Sequence, residues 1–287
     1  MGAIARLRDS GAWRDVFEGE AGRRVGALTR QTPVVRAPGM LVKAEGLQRT
    51  GSYKARGAIA KLATIPAGGE VVTASAGNHG LGVAYASAAL GHRATVVVSE
   101  AAPEVKRRGI EGLGARLVVH GAGYDDAEAY ARSLAEGEAA LFVGYADDHV
   151  IVGNGGTIAQ ELLEQVEGLG EGDAVVIPVG GGGLASGIGA ALAGSGVGLV
   201  GVEPETNRAM SISFDEGAAR TSYPEGASTL AEGLEGAVAE NTYELCRESL
   251  DEIVLVGEEE IRRAIARAYT EMGLVLEASA AVAPAAV

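Results

Sequence analysis

The chain has 287 residues, 47% of them hydrophobic and 22% charged, enough to bury a sizeable core and typical of a soluble globular protein. A net charge of −14 repels nucleic-acid phosphates, which speaks against a DNA or RNA partner. The single cysteine, Cys246, excludes an intramolecular disulfide and leads us to expect a reducing, cytoplasmic setting; no apolar run of membrane-spanning length and no signal-peptide pattern is seen.

In chain order, the segment before Gln31 is weakly patterned. A strand is expected at 41–44 and a helix at 53–63, then strand and helix alternate: 71–74 with 80–90, 94–98 with 103–113, and 116–119 with 124–136. Further on, strands at 141–144, 174–178 and 199–203 alternate with helices at 157–165, 184–193 and 259–272. The stretch 211–234 lacks a regular pattern and reads as an extended loop. The strands are nearly continuous in apolar residues, as expected when both faces are covered. Such alternation implies an α/β fold of parallel or mostly parallel sheets covered by helices, with ligands beyond the carboxyl ends of strands.

Two strand-to-helix turns stand at such ends. The second, Val179-Gly180-Gly181-Gly182-Gly183-Leu184, offers backbone amides that no side chain obstructs, at the positive end of the following helix. This is an anion site suited to a phosphate. Gly180, Gly182 and Ala185 also satisfy a dinucleotide-binding spacing, with Glu203 at the end of the next strand where a ribose-binding acid would lie. An oxidoreductase reading therefore stands beside the phosphate reading at this point.

The first turn, Ser75-Ala76-Gly77-Asn78-His79-Gly80, supplies a second cluster of donors that suits a carboxylate. As bland readings, Asn78 is a turn residue and His79 a helix-start residue. Earlier in the chain, Thr50-Gly51-Ser52-Tyr53-Lys54-Ala55-Arg56-Gly57 places a lysine at the start of a helix, with Ser52 as the expected N-cap. Most lysines at such a place are merely solvated. Flanking glycines and a preceding aromatic ring instead suit an amine that forms a Schiff base with an aldehyde cofactor.

Together the segments V-K-A-E-G-L-Q-R-T-G-S-Y-K-A-R-G-A, T-A-S-A-G-N-H-G-L-G-V-A and P-V-G-G-G-G-L resemble the threonine/serine dehydratases of the fold-type II pyridoxal-phosphate enzymes. The resemblance runs from about Gln31 to the end, through V-G-V-E-P-E and T-L-A-E-G-L. It implies a two-lobed fold of the tryptophan-synthase β type. A large cofactor-binding domain is then expected at 1–68 and 148–287, and a small domain carrying the asparagine loop at 69–147.

By the same resemblance the cofactor is pyridoxal 5′-phosphate, borne by the catalytic Lys54 with Tyr53 beside its ring. Asn78 bonds the phenolic oxygen, Gly180, Gly181, Gly182, Gly183 and Leu184 wrap the phosphate, and Gly233 and Glu277 lie near the pyridine. Ser75, Asn78 and His79 receive the carboxylate of a small amino-acid substrate. The freed Lys54 amine takes the α-proton, the β-hydroxyl leaves, and a 2-oxo acid and ammonia are released. A homodimer with no membrane or nucleic-acid partner is implied as well.

Three departures qualify the resemblance. Related serine racemases carry a serine where this chain has Ala76, which argues against two-base racemisation. Glu203 matches a metal-binding acid of some members, but the second acid falls on Ala209, so no metal is expected. Members of the family continue past the E-x-S-A-A helix into a strand bearing a group against the pyridine nitrogen, and the sequence ends at Val287. The A-E-G-L form of the 231–234 segment keeps open a related elimination, on a hydroxyectoine-pathway or 3-hydroxyaspartate type of substrate.

Overall fold

A computed structural model describes residues 1–222 and 229–287. The first part of the chain forms α1 (Ala3–Arg8), α2 (Gly11–Phe17), α3 (Glu20–Leu28), β1 (Val34–Ala37), β2 (Met40–Lys43), α4 (Lys54–Leu62), β3 (Glu70–Ala74) and α5 (Asn78–Leu90). Then come β4 (Arg93–Val98), α6 (Glu104–Gly112), β5 (Arg116–Val119), α7 (Tyr124–Gly137), β6 (Leu141–Phe142) and α8 (Asp148–Ile151), which runs into a π-helical turn at Val152–Gly156. The remainder comprises α9 (Thr157–Gln165), β7 (Ala174–Pro178), α10 (Gly183–Leu192), β8 (Gly198–Pro204), α11 (Ala209–Glu216), α12 (Glu240–Ser249), β9 (Glu252–Val256), α13 (Glu258–Arg267) and α14 (Ala278–Ala285).

The chain divides into two compact units. One holds Met1–Trp13, Thr32–Gly46 and Gly155–Val287; the other holds Arg14–Gln31 and Leu47–Asn154. In this packing division 14–31, 47–68 and 148–154, all expected in the large domain, group with the β3–β6 sheet; α4 packs on α5 there.

In the unit that holds Lys54, four parallel strands lie in the order β5-β4-β3-β6. The period-two alternation of β4 sends Ala94, Val96 and Val98 to a cluster with Ala84 of α5 and Ile110 of α6. Val97 points the other way, to Val72, Ala74 and the alanine stripe Ala127, Ala131 and Ala135 of α7. Both faces are thus covered, and this is why the run Ala94–Val98 is unbroken by polar side chains except Thr95.

The other unit contains the parallel sheet β7-β8-β9 and a separate antiparallel hairpin, β1-β2. Val202 and Val256 of the sheet pack with Ile261 and Ala264 of α13 and with Ala281 and Val282 of α14. Lys43, at the end of the hairpin, turns its ammonium inward. Its Nζ donates to the Thr32 carbonyl at 2.7 Å, to Gln165 Oε1 at 2.7 Å and to Glu161 Oε2 at 2.5 Å. Both charged side chains are largely buried, so α9 is tied to the hairpin by a desolvated pair with extra acceptors.

Several expectations change. The 41–44 strand is half of a hairpin, not part of a parallel sheet, and β1 and β9 add strands absent from the sequence reading. The segment before Gln31 forms three short helices, too short for an apolar period to register. The 211–234 loop is corrected at its start, where 211–216 belongs to α11, and at its end, where Glu232–Leu234 forms a 3-10 turn. The part at 223–228 lies outside the described residues. The 259–272 helix stays α-helical to Arg267 and continues as a π turn, Ala268–Met272.

Replacing Lys43 by Met strips Glu161 of its buried ammonium. Unfolding in guanidinium is expected to show a loss of about 3 kcal/mol, partly recovered when Glu161→Gln is added.

Candidate active site

Before α4, Tyr53 is the first non-helical residue, one position later than the expected cap. Ser52 still contributes, its Oγ accepting from the Lys54 N–H at 3.4 Å. The half-buried Lys54 ammonium sits 5.1 Å from the centre of the Tyr53 ring. Behind it stands α5. A β-carbon on Gly82 would lie 2.9 Å from the Lys54 carbonyl, so only glycine permits the two backbones to approach this closely.

The asparagine loop joins β3 to α5 in the same unit. Ser75 extends the sheet by donating its N–H to the Val97 carbonyl at 3.1 Å, and its Oγ accepts from the Gly77 N–H at 3.1 Å. Asn78 opens α5 and remains half-buried. Ala76 packs on the β4–α5 core cluster and carries no group that can exchange a proton.

His79 turns inward, with only 8% of its surface exposed. Its Nε2 lies 3.1 Å from the Val143 carbonyl, which also accepts from Thr73 Oγ1 at 2.8 Å. A carbonyl only accepts, so Nε2 holds the proton of the neutral ring. Burial first, and the Lys54 charge second, lower the imidazole pKa to about 4. The ring is therefore neutral at physiological pH. Nδ1 is buried without a hydrogen-bond partner among the described residues.

In the other unit the glycine turn leads from β7 into α10. Gly182 occupies the left-handed region, φ +86° and ψ −8°, and among the described residues no side chain caps α10. The first intrahelical bond is Ser186 N–H to the Gly182 carbonyl, which leaves the amides of the first turn without helical acceptors. Gly181, Gly183 and Leu184 are only half-buried, so those donors remain accessible. A β-carbon on Gly180 would meet the Leu234 carbonyl oxygen at 2.7 Å, and this seats the turn against the 231–234 segment. Below Gly182 lies Cys246, whose buried thiol is pushed up to about 12 by desolvation and donates to the Gly182 carbonyl at 3.5 Å.

Gly233 and Glu277 belong to the same cluster. The Gly233 N–H donates to Ser279 Oγ at 3.0 Å, and Ser279 lies in the first turn of α14, which Glu277 precedes as N-cap. Lys54, Tyr53, Ser75, Asn78 and His79 thus share one unit, while Gly180 to Leu184, Gly233 and Glu277 share the other.

Two contributors carry no role in the sequence reading. Ser279 was legible only as part of the E-x-S spacing. Asn154 gave no signal at all: it lies 97 residues from Gly57, yet its Oδ1 accepts the Gly57 N–H at 2.8 Å.

Glu203 answers the dinucleotide alternative. Its side chain is fully buried, and it accepts from Met210 N–H at 2.8 Å, Ser211 N–H at 2.8 Å and Ser211 Oγ at 2.6 Å. It caps α11 from eight residues away, so its oxygens are not presented to a ribose. Burial raises its pKa above the ordinary carboxylate range, against the pull of those three donors.

Parallel α/β units carrying a lysine at a helix start and an uncapped glycine turn define the fold-type II class of pyridoxal-phosphate enzymes. The family model described as pyridoxal-phosphate dependent enzyme matches residues 25–287, and the chain belongs to that family. It is 36% identical over 253 residues to the catabolic L-threonine dehydratase TdcB of Escherichia coli (strain K12), covering 86% of this chain and 75% of the relative. Among solved structures it is similar to the processed form of threonine deaminase isoform 2 from Solanum lycopersicum, with a TM-score of 0.83 and 30% identity over 99% of this chain and 81% of that one. It is also similar to serine racemase of Dictyostelium discoideum, with a TM-score of 0.84 and 30% identity over 99% of this chain and 91% of that one. The residues fit the cofactor: the open first-turn amides of α10 match a phosphate, and the half-buried primary amine of Lys54 matches an aldehyde.

Glu203→Ala leaves two backbone amides of α11 without their acceptor. Denaturant unfolding is expected to show a loss of roughly 2–4 kcal/mol. For His79 the sign follows from a folded pKa of about 4 against an ordinary 6.5. Its contribution is complete above pH 6.5 and is lost as pH falls toward 4, because only the unfolded chain takes up the proton. Between pH 7 and pH 5 the wild type is expected to lose roughly 2 kcal/mol more than His79→Gln in matched unfolding curves.

Proposed function

We infer that this enzyme removes water and then ammonia from a small β-hydroxy amino acid, L-threonine and/or L-serine, to yield a 2-oxo acid and ammonia. The observation that carries the reading is the 36% identity over 253 residues to a catabolic L-threonine dehydratase. The lysine, asparagine and glycine motifs all fall inside the matched family region.

Pyridoxal phosphate, when bound, supplies the electron sink that makes an α-proton removable. The chain supplies position and proton transfer. Lys54 holds the cofactor and its Nζ serves as the base for the α-proton; Tyr53 flanks the ring. Gly180, Gly181, Gly182, Gly183 and Leu184 hold the phosphate through backbone amides, and Asn78 holds the phenolic oxygen. Gly233 and Glu277 border the pyridine. Ser75, Asn78 and His79 receive the substrate carboxylate; the buried, neutral imidazole suits His79 to act through its backbone N–H, with the ring bracing the loop on Val143. Ala76 carries no proton-exchanging group at the position where the related serine racemases carry a serine, which favours elimination over racemisation.

The domain division at 1–68 with 148–287 and at 69–147 belongs to the same proposal, α4 being assigned by its lysine to the cofactor domain although it packs on α5. So do a homodimer and a cytoplasmic setting. Among the described residues no helix is long and apolar enough to cross a membrane.

Protein loaded with pyridoxal phosphate should show a visible band that requires Lys54 and shifts on addition of L-threonine as 2-oxobutyrate accumulates. Lys54→Ala is expected to lower turnover by at least about 100-fold. A Lys54-dependent band that does not respond to threonine or serine would move the substrate elsewhere; no band would overturn the mechanism.

A further inference from the structure

At the start of α4, local residues meet two of the N–H groups that lack a partner in the helical ladder. The Lys54 N–H reaches Ser52 Oγ, and the Arg56 N–H reaches the Tyr53 carbonyl at 2.9 Å. The Gly57 N–H has no local acceptor and is buried. It is met by Asn154 Oδ1 at 2.8 Å, from a side chain only 4% exposed. Asn154 stands in the π turn Val152–Gly156, a rare geometry that presents its side chain to α4.

The fit is close on both partners. A β-carbon on Gly57 would lie 2.4 Å from the Val150 carbonyl oxygen and 2.7 Å from the Asn154 amide. One on Gly153 would lie 2.6 Å from Ala60 Cβ and 2.9 Å from Gly57 Cα. On the other side Gly82 of α5 fixes the Lys54 carbonyl. The backbone that bears the amine is therefore held between α5 and the π turn, and the Asn154–Gly57 bond is the polar, directional part of that grip.

We propose that Asn154 is a positioning residue for Lys54, setting the placement of the amine through the first turn of α4. The proposal rests on Lys54 bearing the cofactor, as inferred above. The test compares wild type, Asn154→Ala, Asn154→Asp and Lys54→Ala, each loaded with pyridoxal phosphate. Asn154→Ala is expected to shift the pH midpoint of the Lys54-dependent visible band and to lower kcat about 10- to 100-fold, with KM within about twofold. Hydrogen exchange at the Gly57 amide should quicken by about tenfold. Asn154→Asp keeps the acceptor oxygen and should restore the band and bring kcat within about threefold of wild type.

An Ala variant with unchanged kcat and band midpoint overturns the proposal, as does an Asp variant as impaired as the Ala one. Where Asn154→Ala does not fold, Asn154→Asp decides alone by the same criterion. A band that persists in Lys54→Ala removes the underlying assignment of Lys54, and the positioning role with it; loss of that band beside an unaffected Asn154→Ala removes only the positioning role.

Discussion

The approach of α5 to the first turn of α4 is the contact on which the lysine unit depends. Gly82 faces the Lys54 carbonyl with no room for a methyl group, so the two helices meet backbone to backbone. At that distance main-chain geometry fixes the point from which the Lys54 side chain departs, and the rotamers of that long side chain set the amine from there. The same helix pair sets the environment of His79. Its ring is carried inward by α5 and finds the Val143 carbonyl, in a place dry enough to keep it neutral beside a positive lysine.

The second unit solves a different problem with similar means. A phosphate-sized anion needs unobstructed amides that do not move. Gly182 supplies the left-handed turn that opens the first turn of α10, and its neighbours hold it from below. Met210 and Cys246 close the space under Gly182, while Leu234 closes it over Gly180. Met210 is itself placed by Glu203, whose carboxylate caps α11. Ser279 ties the 231–234 segment to α14. Apart from the Glu203 cap, which is local, each tie joins parts distant in sequence, so the turn is held by the packing of the unit around it.

Charge follows the same division between surface and site. Several exposed carboxylates stand in helical pairs, such as Glu20 with Arg24 and Glu104 with Arg108, and the net charge of −14 comes from the carboxylates in excess of the basic residues. Such pairs contribute little to stability. Two of the buried charges are held by several partners each: Lys43 by three acceptors, Glu203 by three donors. Removing a partner from these is costly where the surface pairs are not.

The α/β class, the apolar runs of the parallel-sheet strands other than β9, and the three motifs were legible in the residues themselves. An unbroken valine run such as Val96–Val98 can only be covered on both faces, and a glycine run between strand and helix can only leave amides open. What the sequence could not show are features made by contacts distant in the chain. The helix at Ala209–Glu216 looked like loop because its cap, Glu203, comes from a strand. The hairpin at Val34–Lys43 depends on a pairing that its short apolar run did not announce. The neutral state of His79 and the hold of Asn154 on Gly57 exist only once α5 and the π turn are packed on their neighbours. Local composition determines which groups are available. Burial and close approach, which only the packed chain provides, decide which of them are desolvated, paired and held in place.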